Sequence, residues 1–197
     1  MANLPFPPDL DEAIQRAVHS NQPDHQLRVT WDGKSLELEH RDLPGMAPFS
    51  VQTVSVRHAG YRVKTTDRDV FDRARAEARA AGADEGLLLT KDGYVAEGTL
   101  FAIGWIDTGR VRLPSLDLDI LPSVGRGRVI EVATALGLPV EEGRYQLADL
   151  QGRAVFATTA TRGVVPIARL DGVAVQKDEL VEQLAQGFWR LESTQGR

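Results

Sequence analysis

The sequence predicts an α+β fold with mixed sheets, on three observations. Short apolar runs typical of strands are separated by Asp-Gly and similar turn signals. Segments with apolar residues at helical spacing occur between these runs at irregular intervals. Helices and strands do not alternate in the regular manner that would indicate a wholly parallel sheet, which favours the mixed α+β class.

The N-terminal part of the chain predicts one helix followed by one β-hairpin. Asp9 follows two prolines and is a candidate N-cap, with Glu12 as its capping-box partner. Apolar residues recur at helical spacing over 10–18, and strand-like alternation lies on both sides of the Asp32-Gly33 turn. With the Pro/Gly loop that follows, these elements predict a small, truncated N-terminal α/β lobe over residues 1–60.

Residues 61–197 are predicted to form a larger C-terminal lobe with a mixed sheet. Gly82 and Gly137 follow two of its helical patterns and are typical of helix C-termini. Asp-Gly and Thr-Gly pairs mark the turns between its apolar runs. A further strand is predicted at 51–56, still within the small lobe. Within residues 61–197 the patterns predict, in chain order, a helix at 70–81, strands at 86–90 and 94–106, a helix at 129–136, a strand at 140–145, a helical turn at 147–150, strands at 154–157 and 164–167, and a helix at 180–189.

Composition excludes several classes of function. A net charge of −5 and a pI of about 5.4 argue against nucleic-acid binding. The absence of cysteine excludes disulfides, thiolate zinc sites and thiol nucleophiles, and the histidines lack metal-ligand spacing, so no metal is expected. No apolar run approaches the roughly 20 residues of a membrane span, and residues 1–9 lack a signal-peptide pattern. A cytoplasmic enzyme or binding protein is expected.

Lys64 is the residue best suited to covalent chemistry. The other three lysines, Lys34, Lys91 and Lys177, lie in turns or at the start of a charged helix, where solvation is expected. Lys64 lies instead among apolar and hydroxyl residues between a strand and a helix. An amine held there is expected to be partly desolvated and able to form a Schiff base with a carbonyl compound.

Three further features carry possible chemistry, each with a plain structural alternative. Glu97 lies in a strand pattern, where a buried carboxylate needs a partner, although an exposed edge position is also open. Residues 121–127 open a helix with small residues, which either bind an anion at the free N–H groups or form an ordinary helix start. The loop 158–163 holds three threonines and Arg162, which either bind a carboxylate or form a solvated hairpin.

In chain order these pieces resemble the class IV (fold-type IV) pyridoxal-phosphate enzymes. The matching runs are Lys-Thr-Thr-Asp-Arg at 64–68, Gly-Tyr-Val-Ala-Glu-Gly-Thr at 93–99, Leu-Pro-Ser-Val-Gly-Arg at 121–126 and Thr-Arg-Gly at 161–163. The resemblance covers roughly residues 26–190 and is nearest the 4-amino-4-deoxychorismate lyase-like branch. It implies a two-lobed fold like that of D-amino-acid aminotransferase, with pyridoxal phosphate bound between the lobes.

The resemblance also implies roles for individual residues. Lys64 would hold the cofactor covalently and move the substrate α-proton, and Glu97 would bond the pyridine nitrogen. The N–H groups of Val124 and Gly125 would bind the phosphate. The remaining implied contacts are Thr159 and Ala160 with the cofactor, Thr161 and Arg162 with the substrate, and Arg28 with the cofactor from the small lobe.

Departures from the family pattern keep two functions open. Gly125 and Ala160 replace residues that usually carry phosphate-binding hydroxyls, Ala102 replaces an asparagine, and the N-terminal lobe is short. The first expectation is an enzyme, either a 4-amino-4-deoxychorismate lyase that makes 4-aminobenzoate and pyruvate for folate biosynthesis or an amino-acid aminotransferase. The alternative is a degenerate member that acts as a binding or partner protein. A homodimer and a small amino-acid-like substrate are expected as partners.

Overall fold

The computed structural model describes residues 6–18, 25–45 and 47–190, and the chain divides into two compact units, Met1–Gly45 and Met46–Arg197. In the first unit, helix α1 (Leu10–Val18) precedes an antiparallel hairpin of β1 (His25–Trp31) and β2 (Leu36–Asp42). Asp32 Oδ1 accepts the N–H groups of Lys34 and Ser35 and so stabilises the hairpin turn. The predicted helix and hairpin are confirmed.

The second unit contains nine strands and three helices in the part of the chain that the structure describes. The long strand predicted at 94–106 is divided by a turn at 99–101, and a strand that was not predicted follows Gly109. The elements are β3 (Phe49–Arg57), α2 (Asp69–Ala80), β4 (Glu85–Leu89), β5 (Val95–Gly98), β6 (Ala102–Asp107), β7 (Arg110–Pro114), α3 (Val124–Ala135), β8 (Val140–Gly143), β9 (Ala154–Thr159), β10 (Gly163–Leu170), β11 (Val173–Ala174) and α4 (Glu179–Arg190), with short 3₁₀ helices at Leu116–Leu118 and Leu147–Leu150.

The strands of the second unit form one mixed sheet in the order β5-β4-β3-β10-β9-β6-β7-β8, with β11 paired to β10. β3 lies between β4 and β10 and is parallel to both. The division of the chain at Gly45 therefore differs from the predicted boundary at residue 60, because the hydrogen bonds of β3 make it a central strand of the larger unit.

The short link from β5 to β6 forces this sheet to curl. Five strand spacings would separate the two strands by about 24 Å in a flat sheet, whereas the chain from Gly98 to Ala102 can span at most about 14 Å. The curl brings the edges of the sheet together: the Val95 N–H donates to the Tyr145 carbonyl oxygen, just beyond β8, at 2.8 Å, and Tyr94 bridges to Gln146.

Side-chain alternation along the strands separates an inner core from two outer layers. Leu87, Val155 and Ala157 face the inner core, which also contains Trp105. Phe156, between Val155 and Ala157, faces outward and packs with residues of α3 and α4. Helix α2 packs over β3 and β4 in a third cluster. None of the described helices has the length and apolar character needed to cross a membrane.

Candidate functional site

One cavity of about 490 Å³ lies on the outer face of the curled sheet, at the N-terminal ends of α2 and α3. This volume is within the range of roughly 300–1,000 Å³ that is typical of small-molecule sites. The cavity brings together six of the residues singled out from the sequence, although they are distant along the chain. These residues are Lys64, Glu97, Val124, Gly125, Thr159 and Ala160.

A β-bulge in β5 directs Glu97 toward this cavity. Leu88 pairs with Glu97 and Leu89 pairs with Val95, so that Ala96 is an extra residue without an opposite partner. Leu88 belongs to the outer cluster under α2, whereas Val95 belongs to the inner core. Without the extra residue, Glu97 would point to the same face as Val95; with it, Glu97 shares the outer face with Leu88.

The Glu97 carboxylate is buried and held by two donors. Glu97 is 6% exposed, and its Oε1 lies 2.7 Å from Nε2 of His58, which is also buried. The N–H of Leu121 donates to the same oxygen at 3.4 Å. Glu97 is therefore not the exposed edge-strand residue of the alternative interpretation, since it is a partnered carboxylate in a strand of buried residues.

Lys64 reaches the cavity from the connection between β3 and α2. The connection, residues 58–68, contains no helix or strand, and Lys64 is exposed within it. The expected partial desolvation of Lys64 is not observed, because its side chain is exposed within the described part of the second unit. The amine nevertheless lines the same cavity as Glu97.

The first turn of α3 presents free N–H groups to the cavity. Ser123 is the N-cap: its Oγ accepts the N–H of Arg126, and its carbonyl oxygen accepts that of Gly127. The preceding N–H groups, of Val124 and Gly125, have no acceptor within the helix. Positive partial charge and unpaired donors at a helix N-terminus favour an anion.

Thr158 adds a buried hydroxyl beside this helix end. Thr158 is 1% exposed and lines the cavity, and its Oγ1 has no hydrogen-bond partner among the described residues. A Cβ atom on Gly125 would lie 2.9 Å from this oxygen and equally close to the backbone of Thr159. The absence of a side chain at Gly125 thus lets the helix end approach β9 and leaves an unpartnered donor next to free N–H groups.

Other residues predicted for the site lie elsewhere. Arg162 stacks over the Phe49 ring at 4.9 Å, donates to the Ala47 carbonyl oxygen at 3.4 Å, and lines a separate cavity of about 320 Å³ with Arg75. Thr161 does not line the Lys64 cavity. The expected placement of Arg162 and Thr161 beside Lys64 is not observed, because the Arg162 N–H caps the turn at Thr159 Oγ1, at 2.9 Å, and its side chain packs on Phe49.

Arg28 lies in β1 of the first unit, where it is exposed and pairs in register with Glu39. Its closing role over the cofactor stays a prediction.

Sequence reasoning missed several residues of the cavity. Arg68 donates from Nη2 to the Thr99 carbonyl oxygen at 2.6 Å and from Nη1 to the Tyr61 hydroxyl at 3.4 Å, which joins both sides of the cavity wall. The run Lys-Thr-Thr-Asp-Arg already contained Arg68. Thr158 stood at the edge of the threonine-rich loop, but alternation along β9 was needed to direct it toward α3.

Comparison with known proteins gives consistent matches. A 37% identical segment of 90 residues relates the chain to aminodeoxychorismate lyase of Bacillus subtilis, and a 31% identical segment of 127 residues to a putative branched-chain-amino-acid aminotransferase of Methanocaldococcus jannaschii. These segments cover 45% and 62% of this chain. They cover only 31% and 44% of the two relatives, so the chain spans less than half of either protein.

Solved structures share the fold. A putative branched-chain amino acid aminotransferase from Thermotoga maritima superposes with a TM-score of 0.79 at 25% identity, over 96% of this chain and 76% of its own. An aminotransferase from Brucella abortus, solved with bound PLP, gives a TM-score of 0.79 at 20% identity, over 92% and 74% of the two chains.

The family model for amino-transferase class IV matches residues 3–170, most of the chain. Members of this family use pyridoxal phosphate. The predicted α+β fold and the predicted family are thereby confirmed, and the chain belongs to the class IV aminotransferases.

Proposed function

We propose that the chain is a pyridoxal-phosphate-dependent lyase or aminotransferase of class IV. The observation that best supports this proposal is the shared cavity of about 490 Å³, which is lined by Lys64, Glu97 and the first turn of α3. Pyridoxal phosphate carries an aldehyde, a ring nitrogen and a phosphate. The amine of Lys64 would bind the aldehyde, the carboxylate of Glu97 the ring nitrogen, and the N-terminus of α3 the phosphate.

The residues of the cavity fit the phosphate of the cofactor. The N–H groups of Val124 and Gly125 supply backbone donors, and the unpartnered Thr158 hydroxyl supplies a third. Such bonds to a charged group contribute about 1.5–3 kcal/mol each. Thr158 would compensate in part for the hydroxyls that Gly125 and Ala160 lack. Thr159 Oγ1 accepts the Arg162 N–H, which leaves its hydroxyl proton free to donate as well.

Each side chain has a separate task in this proposal. The bound cofactor supplies an electron sink for the bond that breaks at the substrate α-carbon. Lys64 would be the amine that holds the cofactor and the base that takes the substrate α-proton. Glu97 would accept a hydrogen bond from the protonated ring nitrogen and offset the positive charge of that ring.

We propose 4-amino-4-deoxychorismate lyase activity as the first candidate and transamination of an amino acid as the second. The lyase is favoured by the 37% identity to the Bacillus subtilis enzyme. Purified protein loaded with pyridoxal phosphate should form 4-aminobenzoate and pyruvate from aminodeoxychorismate. Conversion of an amino acid to its keto acid without 4-aminobenzoate would indicate the second candidate.

The Gly125→Ala variant tests the proposed phosphate site. Its Cβ would lie 2.9 Å from Thr158 Oγ1 and from the Thr159 backbone, so the helix end must shift. We expect the affinity for pyridoxal phosphate, measured by fluorescence titration, to fall about tenfold or more.

Gly127→Ala is the matched control on the same helix, because a Cβ there meets nothing within 4 Å. Replacement of a helical glycine by alanine is expected to raise its stability by about 1 kcal/mol and to leave cofactor affinity unchanged. Equal affinities of the two variants would contradict the proposed position of the phosphate.

Substitution of Thr158 by valine separates cofactor binding from folding. Valine keeps the shape but removes the hydroxyl, which has no partner in the described part of the chain. We expect pyridoxal phosphate to bind about tenfold to a hundredfold more weakly, whereas the cofactor-free protein should unfold at an equal or higher temperature. Thr158→Ser should bind nearly as the parent does. A valine variant with parental affinity would remove Thr158 from the site.

The alternative to both enzyme activities is a degenerate member without catalysis, which would act as a binding or partner protein. The exposure of Lys64 and the hydroxyls absent at Gly125 and Ala160 favour it. Titration with pyridoxal phosphate distinguishes the two, because a degenerate member would show no saturable binding at millimolar concentration.

We also propose that the chain forms a homodimer around this cavity. Leu100 and Val124 line the cavity yet are 50% and 73% exposed, and Val63, next to Lys64, is 60% exposed. Apolar side chains grouped at a site mouth are typical of surfaces that another subunit covers. Sedimentation as a monomer in analytical ultracentrifugation would contradict this proposal.

A further inference from the structure

His58 is a buried polar residue that the proposed chemistry does not use. It is 5% exposed, and its Nε2 lies 2.7 Å from Glu97 Oε1. Its ring also contacts the Phe71 ring edge-to-face at 6.2 Å between centroids. A polar side chain with so little contact with water needs its hydrogen bonds satisfied inside the protein, so the Glu97 contact is a built feature of the site.

The backbone around His58 fixes which ring nitrogen carries the proton. The Gly60 N–H donates to His58 Nδ1 at 3.2 Å, so Nδ1 must be an acceptor without a proton. The single proton of the neutral imidazole therefore lies on Nε2 and points to Glu97 Oε1. A doubly protonated imidazole would place its Nδ1–H against the Gly60 N–H.

The backbone segment that carries His58 is held by hydrogen bonds on both sides of Gly60. The His58 N–H donates to the Leu89 carbonyl oxygen at 2.9 Å, and the Tyr61 N–H donates to that of Asp119 at 2.6 Å. Between them Gly60 has a φ of +85°, a left-handed conformation that favours glycine. The imidazole is thus held by backbone contacts that do not depend on a ligand.

We infer that His58 is a positioning residue that holds Glu97 for the ring nitrogen of the cofactor, an inference that rests on the proposed function. Two donors, the His58 Nε2–H and the Leu121 N–H, occupy Oε1 of Glu97. The other carboxylate oxygen of Glu97, Oε2, takes part in no hydrogen bond among the described residues, and Glu97 lines the cavity. His58 therefore selects the oxygen and the plane that Glu97 offers to the ring nitrogen.

A matched pair of variants tests this inference. The side-chain amide nitrogen of His58→Gln reaches about as far as Nε2 and can still donate to Glu97, whereas that of His58→Asn lies near the Nδ1 position and cannot. Both keep a polar, uncharged side chain, so both are expected to fold, which thermal unfolding would verify. The readouts are cofactor affinity and the ¹⁵N chemical shift of pyridoxal phosphate labelled at its ring nitrogen.

We expect the glutamine variant to keep the parental ¹⁵N shift and affinity. The asparagine variant should bind pyridoxal phosphate about tenfold more weakly, and its ring nitrogen should resonate closer to the unprotonated position. Identical shifts and affinities in the two folded variants would overturn the role of His58 and leave the proposed function unaffected. If the parent protein itself fails to bind pyridoxal phosphate, the proposed function fails and this inference fails with it.

Discussion

Replacement of Lys64 by alanine is expected to abolish the covalent capture of pyridoxal phosphate. Lys64 is the lysine that lines the cavity with Glu97. Of the others, Lys34 lies in the turn of the first unit, Lys91 follows β4, and Lys177 precedes α4. A carbon–nitrogen bond to the cofactor aldehyde requires an amine within the cavity. The visible absorption band of the loaded protein and its trapping by borohydride should both disappear.

Lys91→Ala is the control for this experiment, because Lys91 is exposed and borders a different cavity. We expect it to keep the absorption band and the trapped cofactor in full. If Lys64→Ala retains the band, or if both variants lose it equally, the covalent role of Lys64 is wrong. Non-covalent binding to Lys64→Ala, through the α3 N-terminus and Thr158, is expected to persist at reduced affinity.

The second large effect is expected from Glu97→Gln. Glutamine has nearly the same volume and can still accept the His58 Nε2–H through its carbonyl oxygen, so the fold should be retained. It carries no negative charge, however, and cannot keep the ring nitrogen of the cofactor protonated. We expect turnover to fall on the order of 10²–10³-fold, the range for loss of one preorganised electrostatic partner.

Steady-state kinetics and cofactor titration together separate this effect from a binding defect. Cofactor affinity should change far less than turnover, since the phosphate and aldehyde contacts remain. A variant with parental turnover would show that Glu97 does not act on the ring. A variant that loses affinity and turnover in the same proportion would assign Glu97 to binding alone.

Much of the fold could be predicted because its signals are local. The hairpin at β1 and β2 has an Asp-Gly turn between alternating residues, and α2 and α4 have apolar residues at helical spacing. Lys64, Glu97 and the α3 N-terminus could be singled out because their residue types are unusual for those positions, and their order along the chain identified the family.

The remaining features depend on contacts that are distant along the chain. The bulge at Ala96 is set by the pairing of β5 with β4, and the register of that pairing cannot be predicted from the sequence of β5 alone. The sequence assigned β3 to the small lobe because β3 follows a Pro/Gly loop, and its pairing with a strand on each side could not be read from that loop. Strand β7 was missed because its run, Arg-Val-Arg-Leu-Pro, alternates over only five residues.

The cavity itself shows the same limit. Thr158 becomes important because α3 approaches β9 at Gly125, a contact between segments more than thirty residues apart. Arg162 lies in the loop that sequence reasoning singled out, yet its packing against Phe49 directs it into another cavity. Residue type could indicate Thr158 and Arg162 as candidates, but only tertiary packing decides which of the two lines the site.

The central claim is that the Lys64 amine and the Glu97 carboxylate serve one cofactor in one cavity. Peptide mapping by mass spectrometry, after borohydride reduction of the parent protein loaded with pyridoxal phosphate, tests this claim most directly. We expect a single modified peptide, with the cofactor-derived mass on Lys64 and none on Lys34, Lys91 or Lys177. Modification spread over the four lysines, or absent from Lys64, would contradict the account.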